Sequence, residues 1–304
     1  MSAAMQTTNP TSAEVLIDEP MSEHTSWQVG GPADRFCQPR TIEALARFLR
    51  ATPVEMPVYW IGLGSNLLVR DGGIRGAVVC TTALEKSIER VGPSTVRATA
   101  SVPCTTLARH CVRLKLGPAA FFAGIPGTVG GALAMNAGAF GGETWDRVER
   151  VETIDRQGKL HVRGKGDFQI GYRSVRGPSG EWFVAASFAL EADAGADMSE
   201  VSSMVKRRGE LQPIGKPSCG SVFRNPEGDY AGRLIEAAGL KGMRIGGAAV
   251  STKHANFIVN EGGACAADIE ALITEVRTKV DALFGIDLEL EVRIVGEPLA
   301  GGDS

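Results

Sequence analysis

The feature that most constrains the fold of this chain is an uncharged, glycine-rich stretch near its middle. The 27 residues from Leu116 to Gly142 contain no Asp, Glu, Lys or Arg, but they include eight glycines, two prolines and Asn136. About 20 apolar residues suffice to cross a bilayer as a helix, yet glycine and proline at this density interrupt a helix and lower its apolarity. The stretch therefore predicts a buried loop system that lies against a ligand rather than a membrane span.

Hydrophobic periodicity elsewhere predicts a mixture of helices and hairpin-connected strands. Apolar residues recur at helical spacing in TIEALARFLR and PCTTLARHCVRLKLG, whereas VYWIGLG, GAVVCTT, VRATASV and EWFVAASFAL have the composition of strands. RVERVETIDRQGKLHVRG predicts a hairpin that turns at Gln-Gly. Hairpins without a regular strand–helix repeat predict the α+β class rather than a doubly wound sheet.

The clearest helix is predicted from Ala266 to Phe284, with Gly285 as its stop. Its apolar face is predicted to contain Ile269, Leu272, Ile273, Val276, Val280, Leu283 and Phe284. The segment LELEVRIV then alternates, so that its apolar side chains face the core. The opposite face should carry Glu289, Glu291 and Arg293, each of which by itself is typical of a solvated strand.

A polar stretch divides the chain into two predicted domains. Apolar periodicity lapses in EADAGADMSE, residues 191–200, and we place a boundary there, near residue 195. The N-terminus is polar and has no apolar segment flanked by basic residues, so it does not resemble a secretory signal. We predict an N-terminal tail over residues 1–24, a first domain over 25–195 and a second over 196–304.

Charge and cysteine content exclude several classes of function. The 32 basic and 35 acidic residues leave a net charge of −3 without a basic block, which argues against a nucleic-acid partner. The six cysteines form no CxxC pair, and the four histidines have no metal-ligand spacing. We expect no metal site, and reduced thiols indicate a cytoplasmic protein.

Two glycine loops are candidates for holding a ligand. IGLGSNLLVRDGG follows a predicted strand, but it lacks the third glycine and the helix of a dinucleotide fingerprint. GIPGTVGG precedes ALAMNAGA, which could open a helix and offer free amides to a diphosphate. The residues alone favour a nucleotide or a flavin held between the loops and a structural role in packing about equally.

The segment PSCGSVFRNP raises a choice between a nucleophile, an acid and a simple turn. Ser221 has no GxSxG elbow and no identifiable His-Asp partner, so a serine nucleophile is not supported. Cys219 would need a lowered pKa to act as a thiolate, which neighbouring Lys216 and Arg224 permit without showing it. In GYRSVRG, Arg173 could bind a carboxylate or lie solvated in a loop.

These motifs, taken in order, closely resemble the UDP-N-acetylenolpyruvoylglucosamine reductases (MurB). The resemblance extends from about Thr25 to Gly296 and matches the shorter form of the family, because an additional tyrosine-bearing loop over the substrate is not found. The motifs that carry it are GGPADRF, GLGSNLLVRDGG, GIPGTVGGALAMNAGAFGGE, GYRSVRG, PSCGSVFRNP, LIEAAGLKGMRIGGAAVSTKHANFIVN and LEVRIVG.

The resemblance implies a fold and a cofactor. It implies an FAD-binding domain of the vanillyl-alcohol-oxidase (PCMH) type, built of two α/β subdomains that divide near residue 85, followed by an α+β substrate-binding domain. The residues that would hold FAD are Gly62, Leu63, Gly64, Ser65, Asn66, Leu67, Gly127, Thr128, Gly130, Gly131, Asn136, Ala137 and Gly138.

The resemblance also implies a reaction of peptidoglycan precursor synthesis. NADPH would reduce the flavin, and the hydride would then pass to the enolpyruvyl group of a UDP-sugar to form UDP-N-acetylmuramate. Ser221 would donate the proton, while Arg173 and Glu291 would stabilise the enol intermediate. The residues implied to contact the UDP-sugar are Tyr172, Arg208, Asn225 and Lys241. No protein partner is implied.

Two other functions remain open from the sequence. A flavin oxidase of the same superfamily would act on an alcohol or a hydroxy acid, although GLGSNLL lacks the histidine that often attaches FAD covalently in such enzymes. A protein that binds a flavin or a nucleotide sugar without turnover would not need Arg173, Ser221 and Glu291 together.

Overall fold

The computed structural model describes residues 14–299. Its first unit is a four-stranded sheet in which the two inner strands and one edge strand run parallel and the other edge strand is antiparallel. The elements are β1 (Val15–Pro20), β2 (Pro32–Cys37), α1 (Ile42–Ala51), β3 (Val58–Ile61), β4 (Leu67–Val69) and β5 (Ile74–Cys80), and the sheet order is β1-β2-β5-β3. The predicted helix and both predicted strands of this region are confirmed.

Strand β5 is central to this sheet and is buried on both faces, as expected of a parallel strand. Ala77 and Val79 contribute to the core beneath α1, whereas Ile74 and Val78 contribute to the core on the other face. Helix α1 begins after Thr41, whose hydroxyl accepts a hydrogen bond from the Ala44 amide at 3.1 Å.

The second unit is an antiparallel five-stranded sheet covered by helices. Its elements in chain order are β6 (Ile88–Arg90), β7 (Thr95–Thr99), α2 (Cys104–Arg113), β8 (Leu116–Gly117), α3 (Val129–Met135), β9 (Gly138–Ala139), β10 (Gly142–Glu143), α4 (Thr144–Arg147), β11 (Val148–Asp155), β12 (Leu160–Gly164), β13 (Gln169–Gly171), β14 (Ser174–Arg176), β15 (Glu181–Ala189), β16 (Glu191–Ala192) and α5 (Met198–Leu211). The sheet order is β12-β11-β15-β7-β6, and the predicted hairpin at Gln157 and Gly158 joins β11 to β12.

The third unit packs two helices against a small antiparallel sheet. Its elements are α6 (Ala231–Ala237), β17 (Arg244–Ile245), β18 (Ala248–Val250), β19 (Ile258–Asn260), α7 (Ala266–Phe284) and β20 (Arg293–Val295). The predicted bounds of α7 are confirmed. Its predicted apolar face is too long, because Leu283 is 62% exposed and Phe284 is 39% exposed where the last turn projects beyond the core.

Two parts of the chain lie differently from the sequence expectation. Residues 15–20 pair with β2 from Val15 opposite Cys37 to Pro20 opposite Pro32, so they belong to the first sheet rather than to a tail; residues 1–13 of that tail lie outside the described residues. Helix α5, which we placed in the second domain, contributes Val201 to the core of the second unit beside α2. A weakly amphipathic helix gives no local signal of which domain it will pack against.

The third unit is fastened to the first by the chain end and by a charged loop. Strand β20 pairs in parallel with β4, from Arg293 opposite Leu67 to Val295 opposite Val69. The Asp71 carboxylate accepts hydrogen bonds at 2.9 Å from the amides of Ala266 and Ala267, the first residues of α7. Sequence alternation predicted the buried face of the last segment but not its partner strand. Within residues 14–299, no helix is long and apolar enough to cross a membrane.

Candidate active site

A cavity of about 410 Å³ lies where the two glycine loops, the β13–β14 hairpin and the third unit meet. Most residues predicted to act at a site border it, although they come from six separate segments of the chain. Those that border it are Gly62, Leu63, Gly64, Ser65, Asn66, Leu67, Gly127, Thr128, Gly131, Ala137, Gly138, Arg173, Arg208, Ser221 and Glu291. Its walls are mainly apolar apart from these few polar groups, which is typical of ligand sites.

The first glycine loop runs from the end of β3 to the start of β4. Gly64 adopts φ +61°, and a Cβ atom there would lie 2.1 Å from the carbonyl oxygen of His24, so only glycine fits. The Cys219 thiol lies 3.3 Å from the carbonyl oxygens of both Gly64 and Leu67, which share its single proton. Cys219 therefore links the first glycine loop to the segment that carries Ser221.

The second glycine loop leads into α3 and faces the first loop. Gly127 has φ +106°, and a Cβ atom on Gly62 would lie 2.9 Å from the Thr128 hydroxyl across the gap. That hydroxyl is buried and has no hydrogen-bond partner in the described protein. Buried polar groups are nearly always paired, so this one indicates a ligand that completes it.

The start of α3 offers fewer free amides than the sequence predicted. The Val129 amide donates to the Val102 carbonyl at 2.8 Å, and the Gly130 amide donates to the Ala100 carbonyl at 2.9 Å. Gly130 borders an adjoining cavity of about 340 Å³ instead, next to the Trp60 and Trp182 rings that stack 5.2 Å apart. The helix start is therefore hydrogen-bonded to the segment that follows β7 rather than presented whole to a ligand.

The Asn136 side chain forms hydrogen bonds within the protein and is not part of the cavity wall. It is buried at the end of α3 with φ +43°, and its Nδ2 donates to Glu143 Oε2 at 2.8 Å and to the Gly171 carbonyl at 3.2 Å. Its Oδ1 accepts from the Trp145 amide at 3.1 Å. These contacts occupy both ends of the side-chain amide and tie the second glycine loop to the β13–β14 hairpin.

Arg173 and Glu291 form a half-buried ion pair at the cavity. Arg173 Nε donates to Glu291 Oε1 at 3.0 Å, and each side chain is 18% exposed. The same guanidinium donates to the carbonyl groups of Asn136 at 3.3 Å and Gly138 at 3.1 Å. Since an arginine carries five N–H donors, two remain available for an anionic ligand.

Burial raises the pKa of the Glu291 carboxyl above its ordinary value, although the positive charges of Arg173 and Arg224 oppose that rise. Removal from water disfavours the charged carboxylate, and here this effect exceeds the attraction of both arginines. Glu291 is thus a carboxyl group that takes up a proton more readily than an exposed glutamate. A protonated carboxyl can donate a hydrogen bond to a ligand oxygen.

Ser221 is placed at the cavity by anchored neighbours on either side. Cys219 precedes it, and burial raises the pKa of that thiol to about 12, so Cys219 is a neutral hydrogen-bond donor rather than a thiolate. Gly220 turns the chain with φ +72°. Val222 follows, and its carbonyl accepts hydrogen bonds from the amides of Glu291 at 2.8 Å and Val292 at 3.3 Å.

Of the four predicted substrate residues, Arg208 alone borders the cavity. Burial lowers the pKa of its guanidinium, and its Nε donates to the Gln212 side chain at 3.1 Å. Tyr172 is exposed and stacks under the Arg173 guanidinium at 5.2 Å. Asn225 accepts from the Ala231 amide at the start of α6, and Lys241 pairs with a glutamate of that helix, so both lie along α6 rather than on the cavity wall.

Two arginines that we did not assign to the site lie at the cavity or contact a residue that borders it. Arg293 borders the cavity, and its position two residues beyond Glu291 on an alternating segment was a usable signal. Arg224 Nη2 donates to the main-chain carbonyl of Arg173 at 3.2 Å. No sequence spacing connects those two residues, since they are 51 positions apart and the contact arises only when the domains meet.

Known proteins resemble this chain over almost its whole length. A reductase from Methylococcus capsulatus is 56% identical over 98% of both chains, and one from Alkalilimnicola ehrlichii is 59% identical over 92% of this chain and 94% of its own. Both are described as UDP-N-acetylenolpyruvoylglucosamine reductase. The chain belongs to the UDP-N-acetylenolpyruvoylglucosamine reductase family.

Structural similarity and family models agree with this assignment. The crystal structure of the reductase (MurB) from Thermus caldophilus matches with a TM-score of 0.77 and 32% identity over 93% of this chain and 98% of its own. Residues 33–163 match an FAD binding domain, and residues 212–295 match the C-terminal domain of the UDP-N-acetylenolpyruvoylglucosamine reductases. The predicted α+β fold, an FAD-binding domain followed by a family-specific C-terminal domain, is confirmed.

As a member of the UDP-N-acetylenolpyruvoylglucosamine reductase family, the chain is an FAD-dependent oxidoreductase that acts on a UDP-sugar in peptidoglycan synthesis. The cavity fits the cofactor. The Thr128 hydroxyl, unpaired among residues 14–299, would provide a polar contact, and a Cβ atom on Gly131 would project into space with no protein atom within 4 Å. The adjoining cavity beside Trp60 extends the space that a dinucleotide needs.

Proposed function

We propose that this reductase uses NADPH, and that Ser221 donates the proton that completes the reduction of UDP-N-acetylenolpyruvoylglucosamine. The observation that supports it is the convergence of Ser221, Arg173 and Glu291 on one cavity between both glycine loops. A basic side chain, a carboxyl group and a hydroxyl group at one place match the needs of a substrate that carries a carboxylate and gains a proton.

We propose that FAD is held by the two glycine loops, Gly62–Leu67 and Gly127–Gly138. When bound, FAD supplies the hydride that it has received from NADPH. The Thr128 hydroxyl can donate a hydrogen bond to a cofactor oxygen or nitrogen. The family resemblance assigns Asn136 and Gly130 to the cofactor; their positions support an indirect role, through the loop conformation.

The Arg173 and Glu291 side chains are proposed to receive the carboxylate of the enolpyruvyl group. Arrival of a hydride moves negative charge onto that carboxylate, and the two free N–H donors of Arg173 stabilise the charge as it develops. Burial favours the protonated form of Glu291, which can donate a hydrogen bond to the same carboxylate. Both groups thus stabilise the negatively charged intermediate more than they stabilise the bound substrate.

The Ser221 hydroxyl is proposed to donate its proton to the carbon next to the one that receives the hydride. A serine hydroxyl is a weak acid, so it serves only when it is held in position against a strongly basic carbon. The Cys219 hydrogen bonds before it and the Val222 hydrogen bonds after it hold the backbone of this turn on both sides.

The remaining contacts and the domain roles are also part of the proposal. Arg208 is a partly buried cation at the cavity, and this placement favours a contact with the diphosphate of the UDP-sugar. For Tyr172, Asn225 and Lys241 a contact with the substrate rests on the family resemblance. We propose that the subdomains that meet near residue 85 hold FAD and that the third unit covers the substrate.

The test compares the two half-reactions in wild-type protein and in Ser221→Ala. Under anaerobic conditions, reduction of the bound flavin by NADPH is followed first, and reoxidation by UDP-N-acetylenolpyruvoylglucosamine is followed second. We expect reduction by NADPH to change less than about twofold and reoxidation to slow by about 10²- to 10⁴-fold, the usual contribution of a general acid.

Ser202→Ala is the matched control, because Ser202 lies exposed on α5 and its hydroxyl donates only to the Met198 carbonyl. It should leave both half-reactions unchanged. An equal loss of both half-reactions in Ser221→Ala would make Ser221 a structural residue. Failure of the wild-type protein to oxidise NADPH in response to the UDP-sugar would overturn the proposed function as a whole.

A further inference from the structure

We propose that Arg224 is a positioning residue, which fixes the main chain of Arg173 across the domain boundary and faces Glu291 with a positive charge. This inference rests on the proposed function, because it assigns Arg224 to the substrate half-reaction. Arg224 does not border the cavity, so it acts through the residues that do.

The turn that carries Arg173 needs an external support. Tyr172 and Arg173 are the two residues between β13 and β14, and Arg173 adopts φ +52°, a left-handed conformation that glycine usually occupies. Strand β13 is exposed along its whole length, so burial of this strand contributes little to holding the hairpin. Residues in this conformation persist where surrounding contacts over-determine them.

Arg224 supplies such a contact from the third unit. Its Nη2 donates to the carbonyl oxygen of Arg173 at 3.2 Å, which holds the peptide group rather than the side chain. Its own amide donates to the Glu289 carbonyl at 2.8 Å, and Phe223 forms a bridge with Leu290. The arginine is therefore anchored beside the segment that carries Glu291.

The same guanidinium contributes to the charge balance at Glu291. The charged groups around this carboxyl group come from four segments: Arg173 from the hairpin, Arg208 from α5, Arg224 from the serine-bearing segment, and Glu289 with Arg293 from its own segment. Arg224 pairs with Glu289 at 3.3 Å on its exposed side, while its Nε is buried without a hydrogen-bond partner among the described residues. The guanidinium thus contacts the Arg173 peptide group through Nη2 and the Glu289 carboxylate through Nη1.

Arg224→Met tests the proposal in the flavin-loaded protein. We expect reoxidation of the reduced flavin by UDP-N-acetylenolpyruvoylglucosamine to slow about tenfold, as for the loss of one hydrogen bond from a charged donor. Reduction by NADPH should change less than about twofold. The limb of the pH profile that Glu291 controls should move to higher pH, because a cation that favours its carboxylate has been removed.

Arg224→Lys and Arg277→Gln complete the design. Arg224→Lys keeps the charge, so its pH profile should stay close to that of the wild type even where its rate is lower; it also serves if Arg224→Met does not fold. Arg277 pairs with Asp287 on the surface of the same unit, and its replacement should change neither half-reaction.

The outcomes separate the inference from the function on which it rests. If the UDP-sugar reoxidises the wild type and Arg224→Met shows the same rate and the same pH profile, that result would overturn the role of Arg224 alone. A fall in flavin content, melting temperature and both half-reactions together, with the pH profile in place, would show a merely structural arginine and would overturn it as well. No reoxidation by the UDP-sugar in the wild type would overturn the proposed function.

Discussion

Asp71→Ala should weaken the joint between the FAD-binding domain and the C-terminal domain. Asp71 lies in the loop after β4, yet its carboxylate accepts hydrogen bonds at 2.9 Å from the Ala266 and Ala267 amides at the start of α7. Its neighbour Arg70 makes a two-point ion pair with Glu270 on the same helix, at 2.9 and 2.7 Å. One loop of the first domain therefore binds the N-terminus of the longest helix of the last.

The magnitude follows from what the substitution leaves behind. The Ala266 amide is partly buried, whereas the Ala267 amide is exposed and regains a water partner. Loss of a helix cap costs about 1 kcal/mol, and loss of a negative charge at a helix N-terminus adds about 0.3–1 kcal/mol. We expect a total of about 1–2 kcal/mol. Asp71→Asn retains one acceptor oxygen and should cost roughly half as much.

Two measurements check this prediction on the flavin-loaded protein. Thermal unfolding should show a melting temperature lowered by roughly 2–4 °C, since a chain of this size loses about 2 °C for each kcal/mol. Amide hydrogen exchange should increase in the first turn of α7. Asp197→Ala is the control, because Asp197 caps α5 by a 2.8 Å bond from the Ser199 amide and should accelerate exchange there instead. Unchanged melting and unchanged exchange in α7 would refute the reasoning.

Two further predictions concern single groups at the cavity. Thr128→Val should weaken FAD binding by about 2- to 10-fold, as for one neutral hydrogen bond, without destabilising the flavin-free protein, because the hydroxyl has no protein partner; fluorescence titration of the flavin-free protein measures the Kd, and an unchanged Kd would count against the contact. The raised pKa of Glu291 means that its contribution to stability is complete below the unfolded pKa and is lost as pH rises through the folded pKa. The melting temperature of Glu291→Gln relative to the wild type should therefore rise from acidic to neutral pH, and a constant difference would contradict this sign.

Local sequence patterns predicted the individual helices and strands better than they predicted which of these elements pack or pair with each other. Helix α1, the β11–β12 hairpin and the bounds of α7 follow from periodicity and turn residues, which act over a few positions. The placement of α5 on the second unit and the pairing of β20 with β4 depend on which apolar surfaces meet after collapse. No spacing within either segment reports that choice.

The candidate site shows the same division. Resemblance to a family and alternation along the last segment brought Arg173, Ser221 and Glu291 into one hypothesis, and the structure places all three at one cavity. Asn136 was assigned to the cofactor because it stands in a glycine-rich motif, but its side-chain amide is used by the protein itself. A polar residue in a loop motif can serve the loop instead of the ligand, and only the hydrogen bonds distinguish these roles.

The pairing of β4 with β20 has a consequence for the order in which this protein is assembled. Strand β4 continues the first flavin loop, and β20 is its sole strand partner among the residues that the structure describes. The Asn66 side chain in that loop also donates to the Glu291 carbonyl, 225 positions further along the chain. Contacts at such separations form late in folding because closing a long loop is entropically costly. Uptake of flavin should therefore require that both domains have folded, so that the yellow colour of the protein measures the fraction of fully folded molecules.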